Sequence, residues 1–155
     1  NTTDKVVLSQ VLNDYDQETN DFYRWKVTYT GQELGDLINK RIGIDFGNVL
    51  DLIPLTRGES GRITRLKVIG SAKTLIIGKE LEIRKALSKT HLYSSCFFVE
   101  NEQRDGETLF NLHGAGWGHG VGLCQIGAAV MGAEGYQYRD ILMHYFRGAA
   151  LEKRY

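Results

Sequence analysis

Hydrophobic and polar positions alternate over Trp25-Lys26-Val27-Thr28-Tyr29-Thr30, which predicts a strand of aromatic and β-branched residues. The period then lengthens: Leu34, Leu37, Ile38 and Ile42 fall at helical spacing. Thr30 followed by Gly31-Gln32-Glu33 offers a capping box for that helix, and Gly43 closes it. Val49 to Thr56 predicts a second strand, with Pro54 marking an edge or an interruption. Arg57 to Arg62 reads as a turn between two β runs. From Ile63 to Ile69, Leu66 and Val68 define the core face, opposite Ile63, Arg65, Lys67 and Ile69. Gly70-Ser71 turns the chain into Thr74-Leu75-Ile76-Ile77, so residues 49–77 read as a small antiparallel meander.

Lys79 to Lys89 predicts a helix in which Ile83 lies beneath Leu87 and Glu80 pairs with Arg84. Cys96 to Glu100 predicts a strand, Asn101 to Gly106 a polar turn, and Glu107 to Leu112 the returning hairpin partner. After a glycine-rich stretch, Ile126, Ala129, Val130 and Ala133 share one helical face. Tyr138, Ile141, Leu142 and Tyr145 share another, with Gly135 between the two helices and Gly148 after the second. Strands with interspersed short helices and no βαβ rhythm predict an α+β fold: a meander, several short helices, and a glycine-rich loop leading into a C-terminal helical pair. Residues 1–24 are polar and acidic, and read as a lead-in segment or docking arm ahead of the domain.

The 155 residues make one domain's worth of chain, long enough for a real core. Lys plus Arg and Asp plus Glu number 19 each, a balance that argues against nucleic acid or an anionic membrane as the main partner. No apolar run is long enough for a membrane-spanning helix, and the start shows neither the basic nor the apolar region of a signal peptide. The first residue is Asn1, so a processed, cloned or cleaved piece of something longer is expected. Cys96 and Cys124 make no disulfide framework; one bridge between them and two buried free thiols both stay open.

Glycine is the compositional anomaly: of 18, eight fall between Gly114 and Gly135. Glycine takes every second position from Gly114 to Gly122. In a strand this would strip one face of side chains and leave Trp117 and His119 projecting together from the other. An indole for stacking and an imidazole for hydrogen bonding suit a sugar ring. A loop entering a helix near Gln125 also offers backbone N–H groups to an acidic or acetamido group. The stretch lacks G-x-x-x-x-G-K-[ST], and the third glycine of G-x-G-x-x-G is missing at its offset, which argues against a nucleotide. His113, His119 and Cys124 are zinc ligands by type, but their spacing matches no closed structural motif. A Cys124 nucleophile activated by His119 is chemically open.

The stretch GWGHGVGLCQIGAAVMGAEGYQYRDILMHYFRGAAL, residues 116–151, resembles the C-terminal signature of the SpoIID/LytB domain. That family includes stage II sporulation protein D and the amidase enhancers. RWKVTYTGQELGDLI, GESGRITRLKVIG, EIRKAL and LYSSCFFV are similar to its earlier elements, so the resemblance covers roughly residues 24–151. Cys124 stands where serine is common, Ile126 where an aromatic is common, and Gly132 where alanine is usual. Tyr93-Ser94-Ser95 replaces an R-S pair. Family members also carry an upstream half with an S-x-E-A-x-x-A-L-x-A-Q-A-like helix and a C-G-G-x-T element; nothing in residues 1–155 matches either.

The resemblance implies peptidoglycan chemistry of the lytic transglycosylase type. A glutamate of the upstream helix serves as acid and then base, and the MurNAc C6 hydroxyl closes on C1 to leave an anhydro end. On that basis this chain, residues 25–155, is the C-terminal portion of such a domain and holds no catalytic residue, no metal and no cofactor of its own. Its substrate-binding residues are Trp117, Gly118, His119, Gly120 and Gln125, with Ser60, Arg62 and Ser95. Glu59 and Glu134 are the local carboxylates that could replace the missing acid, though a raised pKa requires burial that neither context suggests. The expected partners are peptidoglycan glycan strands, the upstream half of the same domain and a cell-wall amidase. The implied location is the exported cell envelope. The alternative is a non-catalytic wall-binding module that enhances an N-acetylmuramoyl-L-alanine amidase.

Overall fold

The computed structural model describes residues 24–154; the lead-in expected over residues 1–24 lies, but for Arg24, outside them. Strand β1 (Arg24–Thr30) passes directly into helix α1 (Gly31–Ile42). Thr30 is the hinge because its side chain caps the helix. Its Oγ1 accepts from Glu33 N at 3.1 Å, and Glu33 Oε2 accepts from Thr30 N at 2.8 Å. The capping box thus satisfies N–H groups that a helix start leaves without partners. Leu34, Leu37 and Ile38 are buried as their spacing predicts, and Gly43 closes the helix with its N–H on Asn39 O at 2.8 Å.

Strands β2 (Val49–Arg57), β3 (Ile63–Gly70) and β4 (Thr74–Gly78) form the predicted antiparallel meander, in the order β2-β3-β4. Pro54 lies on an edge strand beside a register shift between Pro54 and Thr56, where a missing N–H costs the ladder least. Leu66 and Val68 are fully buried, as expected. Ile63, assigned to the opposite face, is fully buried as well. The β2–β3 register shifts between Thr56 and Arg57, and Ile63 N donates to Ser95 O at 2.9 Å, so the head of β3 turns into the core.

Helix α2 (Glu80–Ala86) is shorter than the predicted Lys79–Lys89, and carries the expected Glu80–Arg84 pair at 3.2 Å. The chain leaves the helix early because Leu92 N turns back onto Arg84 O at 3.1 Å. Strands β5 (Phe97–Arg104) and β6 (Glu107–Ala115) form a longer hairpin than the sequence pattern suggests. Asn101 to Arg104, expected in the turn, continue the ladder. The turn is only Asp105-Gly106, with φ of 52° and 84°, the positive pair that a tight Asp-Gly hairpin uses. Strand β6 pairs with β1 on its other side, giving the order β1-β6-β5.

The two three-stranded sheets and helices α1 and α2 enclose one core built on Leu34, Ile38, Phe46, Leu66, Phe97 and Phe110. Each such side chain contributes about 1.5–3 kcal/mol by leaving water. Helices α3 (Gln125–Ala133) and α4 (Tyr138–Tyr145) complete the α+β fold. On α3 the buried residues are Gly127 and Met131, while of the face shared by Ile126, Ala129, Val130 and Ala133 only Val130 is half-buried and the rest are exposed. No residue of α4 is buried.

Candidate functional site

Ala115 ends β6, with its N–H on Cys96 O at 2.9 Å. Beyond it the backbone is not the glycine-stripped strand that the alternation suggests. Gly116, Gly118, Gly120 and Gly122 have φ of 68°, 95°, 67° and 91°. Glycine is needed at every second position because each takes a left-handed conformation that a Cβ opposes. The expected common face for Trp117 and His119 lapses with the strand.

Among the described residues, three hydrogen bonds fix this loop to the body of the fold. Trp25 Nε1 donates to Gly116 O at 3.2 Å. Gly118 N donates to Tyr93 O at 2.8 Å, and Arg62 Nε donates to Gly118 O at 2.9 Å. Gly118 is thereby held by both of its backbone polar groups.

Arg62 is 8% exposed, an unusual burial for a cation. The β2–β3 turn delivers it there. Gly58 N donates to Arg62 O at 2.9 Å, and Arg57 braces the turn through Nη1 on Gly61 O and Nη2 on Phe97 O, both at 2.8 Å. Arg62 Nη1 also donates to Ser60 O at 3.4 Å. Among the described residues its partners are carbonyls; no carboxylate pairs with it. Burial lowers its pKa, while Cys96, Glu80 and Cys124 act the other way. A Cβ at Gly120 would run into the Arg62 guanidinium, so the loop closes around this side chain.

His119 is exposed, and its Nδ1 accepts from Val121 N at 3.0 Å. That bond requires an unprotonated Nδ1, so the neutral ring carries its hydrogen on Nε2. Trp117 is 62% exposed, and its ring meets Tyr93 at 6.5 Å and 81°. Tyr93 in turn lies against Trp25, with centroids 5.7 Å apart, and Trp25 against the core residue Phe97 at 6.1 Å. The exposed loop aromatic is therefore tied by ring contacts to the core.

The structure gathers Ser60, Arg62, Gly118 and Gly120 into one contact network, with Trp117 and His119 on the same loop. Ser95 lies behind it, fully buried, its carbonyl on Ile63 N and its Oγ without a partner among the described residues. Gln125 opens α3 and is exposed; among the described residues its side chain bonds none of the others. Cys124, in the usual serine position, caps α3 through Sγ accepting from Gly127 N at 3.4 Å. Neither cysteine forms a disulfide among the described residues; Cys96 is buried and Cys124 half-buried. Burial pushes the Cys96 thiol up, against the opposing influence of Arg62, Arg57 and Arg24.

His113 is engaged elsewhere. Its ring stacks on Phe98 at 4.9 Å, and its Nε2 lies 3.1 Å from Glu100 Oε2. Among the described residues no group of three His, Cys, Asp or Glu is placed to hold a metal ion, so His113, His119 and Cys124 are not gathered. Glu59, in the β2–β3 turn, and Glu134, at the end of α3, are both exposed. No helix among the described residues is long and apolar enough to cross a membrane. Tyr93 and Trp25 hold the loop through contacts that the sequence reading did not single out. The one available signal was that Tyr93 departs from the R-S pattern.

An α+β domain whose glycine–histidine loop is clamped by a buried arginine is what the fold and site define. The chain belongs to the family described as a domain of unknown function (DUF8618), whose model matches residues 1–122. It is similar to stage II sporulation protein D of Bacillus amyloliquefaciens, 35% identical over 82 residues, which are 53% of this chain and 23% of that protein. The protein of the same name from Bacillus subtilis (strain 168) matches with the same identity and coverage, 35% over 82 residues. These matches bear out the resemblance to a SpoIID-type domain. The chain spans less than a quarter of the length of these curated relatives.

Proposed function

We propose that the chain supplies the glycan-binding side of a SpoIID-type domain that remodels peptidoglycan during sporulation. The observation that carries this is the Arg62 clamp on Gly118, which holds the loop bearing exposed Trp117 and His119 in one shape. A fixed loop avoids the cost of ordering it on each binding event. Trp117 offers an apolar face to a pyranose ring. His119 offers an Nε2–H donor to a hydroxyl or acetamido oxygen. Gln125, at the start of α3, reaches the same strand further along.

In this reading the general acid is supplied by the upstream half that the resemblance implies. Glu59 and Glu134, both in water, do not serve in its place. The working location is the exported cell envelope, where the substrate lies. Glycan retained by the chain but not cut is also the behaviour of an amidase-enhancing wall module.

The test is to incubate the chain with purified glycan strands, with and without stem peptides, and analyse both retention and strand ends by mass spectrometry. Retention without anhydro-MurNAc ends is the expected result. Anhydro ends made by this chain alone would overturn the division of labour, and no retention would overturn the glycan-binding role. Adding a purified amidase to the retained complex separates the two functions: unchanged amidase rates favour the transglycosylase half, and raised rates the enhancer.

A further inference from the structure

We propose that Tyr93 is a specificity-determining residue beside the glycine loop, forming with Trp117 a two-walled aromatic corner that selects an uncharged pyranose ring. The inference rests on the glycan-binding function proposed above and names which part of the glycan this corner takes. Tyr93 and Trp117 stand edge to face, at 81° and 6.5 Å between centroids. Both are open to solvent, Tyr93 at 37% and Trp117 at 62%. Two rings at right angles offer a flat ligand one stacking face and one edge-on wall, a shape that suits the apolar C–H face of a sugar.

The corner is prebuilt rather than formed on contact. The Tyr93 carbonyl accepts from Gly118 N at 2.8 Å, one residue beyond Trp117, so the two walls are joined through the backbone. Behind Tyr93, Trp25 at 5.7 Å blocks retreat of the phenol ring, and Trp25 Nε1 holds Gly116 O on the other side of Trp117.

The chemistry of the wall sets its preference. Tyr93 presents an uncharged phenol ring at this place. The Arg62 cation is 8% exposed and donates to carbonyls, so it places no guanidinium on the corner's surface. A phenol selects by shape and apolar contact, where a guanidinium would select a carboxylate. An unsubstituted N-acetylglucosamine ring is therefore favoured over a ring bearing a free lactyl carboxylate.

The experiment measures dissociation constants, by calorimetry or NMR titration, for two probes. One is chitotetraose, which is uncharged; the other is a glycan tetrasaccharide with free lactyl carboxylates. Tyr93→Ala is expected to weaken chitotetraose binding about fivefold or more, and Tyr93→Phe to keep it within about twofold. Tyr93→Arg is expected to weaken chitotetraose while tightening the carboxylate-bearing probe, with an effect that fades in salt. All three variants keep the backbone bond to Gly118, so protection of its amide against exchange checks that the loop is intact. If the wild type binds and Tyr93→Ala matches it within twofold with the loop intact, the inference fails and the glycan-binding proposal stands. If the wild type binds neither probe, both fail together.

Discussion

The Arg62 guanidinium reaches across 56 residues of sequence to donate from Nε to the carbonyl of Gly118 at 2.9 Å. The bond joins the β2–β3 turn to the glycine loop, two segments that otherwise belong to different parts of the fold. Arg62→Ala removes the donor and leaves the hydrogen bonds from Trp25 and to Tyr93 in place. The expected result is that Gly118 amide exchange speeds up by about tenfold or more, while Phe110 and Leu112 in the core keep their protection. A hydrogen bond from a charged donor contributes ~1.5–3 kcal/mol, which sets that scale. Arg62→Lys restores the charge but not the directed Nε–H, and is expected to recover less than half of the protection. Unchanged Gly118 exchange in Arg62→Ala would show that the clamp is idle.

Two glycines near each other in sequence are expected to respond in opposite directions. Gly120 has φ of 67°, and a Cβ there would meet the Arg62 guanidinium; Gly132 lies within α3 with open space around it. Gly120→Ala is expected to destabilise by ~2 kcal/mol or more, from backbone strain and displacement of Arg62. Gly132→Ala is expected to be neutral or to stabilise by ~0.5–1 kcal/mol, the usual gain within a helix. Denaturant unfolding followed by circular dichroism reads both, and equal effects would contradict the loop geometry.

Local signals carried most of the fold. The Thr30–Glu33 capping box, the Leu34/Ile38 spacing and the Leu66/Val68 alternation each act over a few residues, and each is realised. The failures lie where a short-range pattern has two physical meanings. Alternating glycine serves a stripped strand or a run of left-handed residues, and only the backbone tells which. Polar Asn101 to Arg104 read as a turn because solvent-facing strand residues are polar too, although Asp105-Gly106 was a sufficient turn by itself. In the candidate site, the signature singled out Trp117 and His119, and Arg62 was named with them as a substrate-binding residue. The Arg62–Gly118 bond and the Tyr93–Trp117 ring contact were not legible, since both join segments distant in sequence.

The two thiols are expected to differ in reactivity. Cys96 is fully buried and its thiol pKa is raised by burial, whereas Cys124 is half-buried at the head of α3. Under native conditions iodoacetamide is expected to label Cys124 well before Cys96, with Cys96 reacting only through unfolding. Peptide mass mapping over a time course reads the order. Equal rates would show that the β5 end of the sheet opens readily.

Alkaline pH is expected to weaken the fold. The pKa values of Tyr29 and Cys96 are both raised, chiefly by burial, and for Tyr29 also by the Glu33 charge. Tyr29 also donates its hydroxyl to Leu87 O at 2.9 Å, which needs the neutral phenol. The folded state therefore keeps these protons where the unfolded chain releases them. Their stabilisation is complete below the unfolded pKa values and is lost as pH rises through the folded ones, so the decline begins above about pH 8.5–10. Urea midpoints measured from pH 7 to 11 should fall, and Cys96→Ala with Tyr29→Phe should flatten that fall. A flat wild-type profile would contradict the assignment.

The most direct test of the proposed glycan-binding role of the glycine loop is a two-dimensional NMR titration of the wild-type chain with a soluble peptidoglycan tetrasaccharide. Shifts are expected to concentrate at Tyr93, at residues 116–122 and at the Trp117 indole, and to vanish in His119→Ala combined with Trp117→Ala. Saturable shifts centred elsewhere, or none at millimolar ligand, would contradict the assignment of this loop as the site.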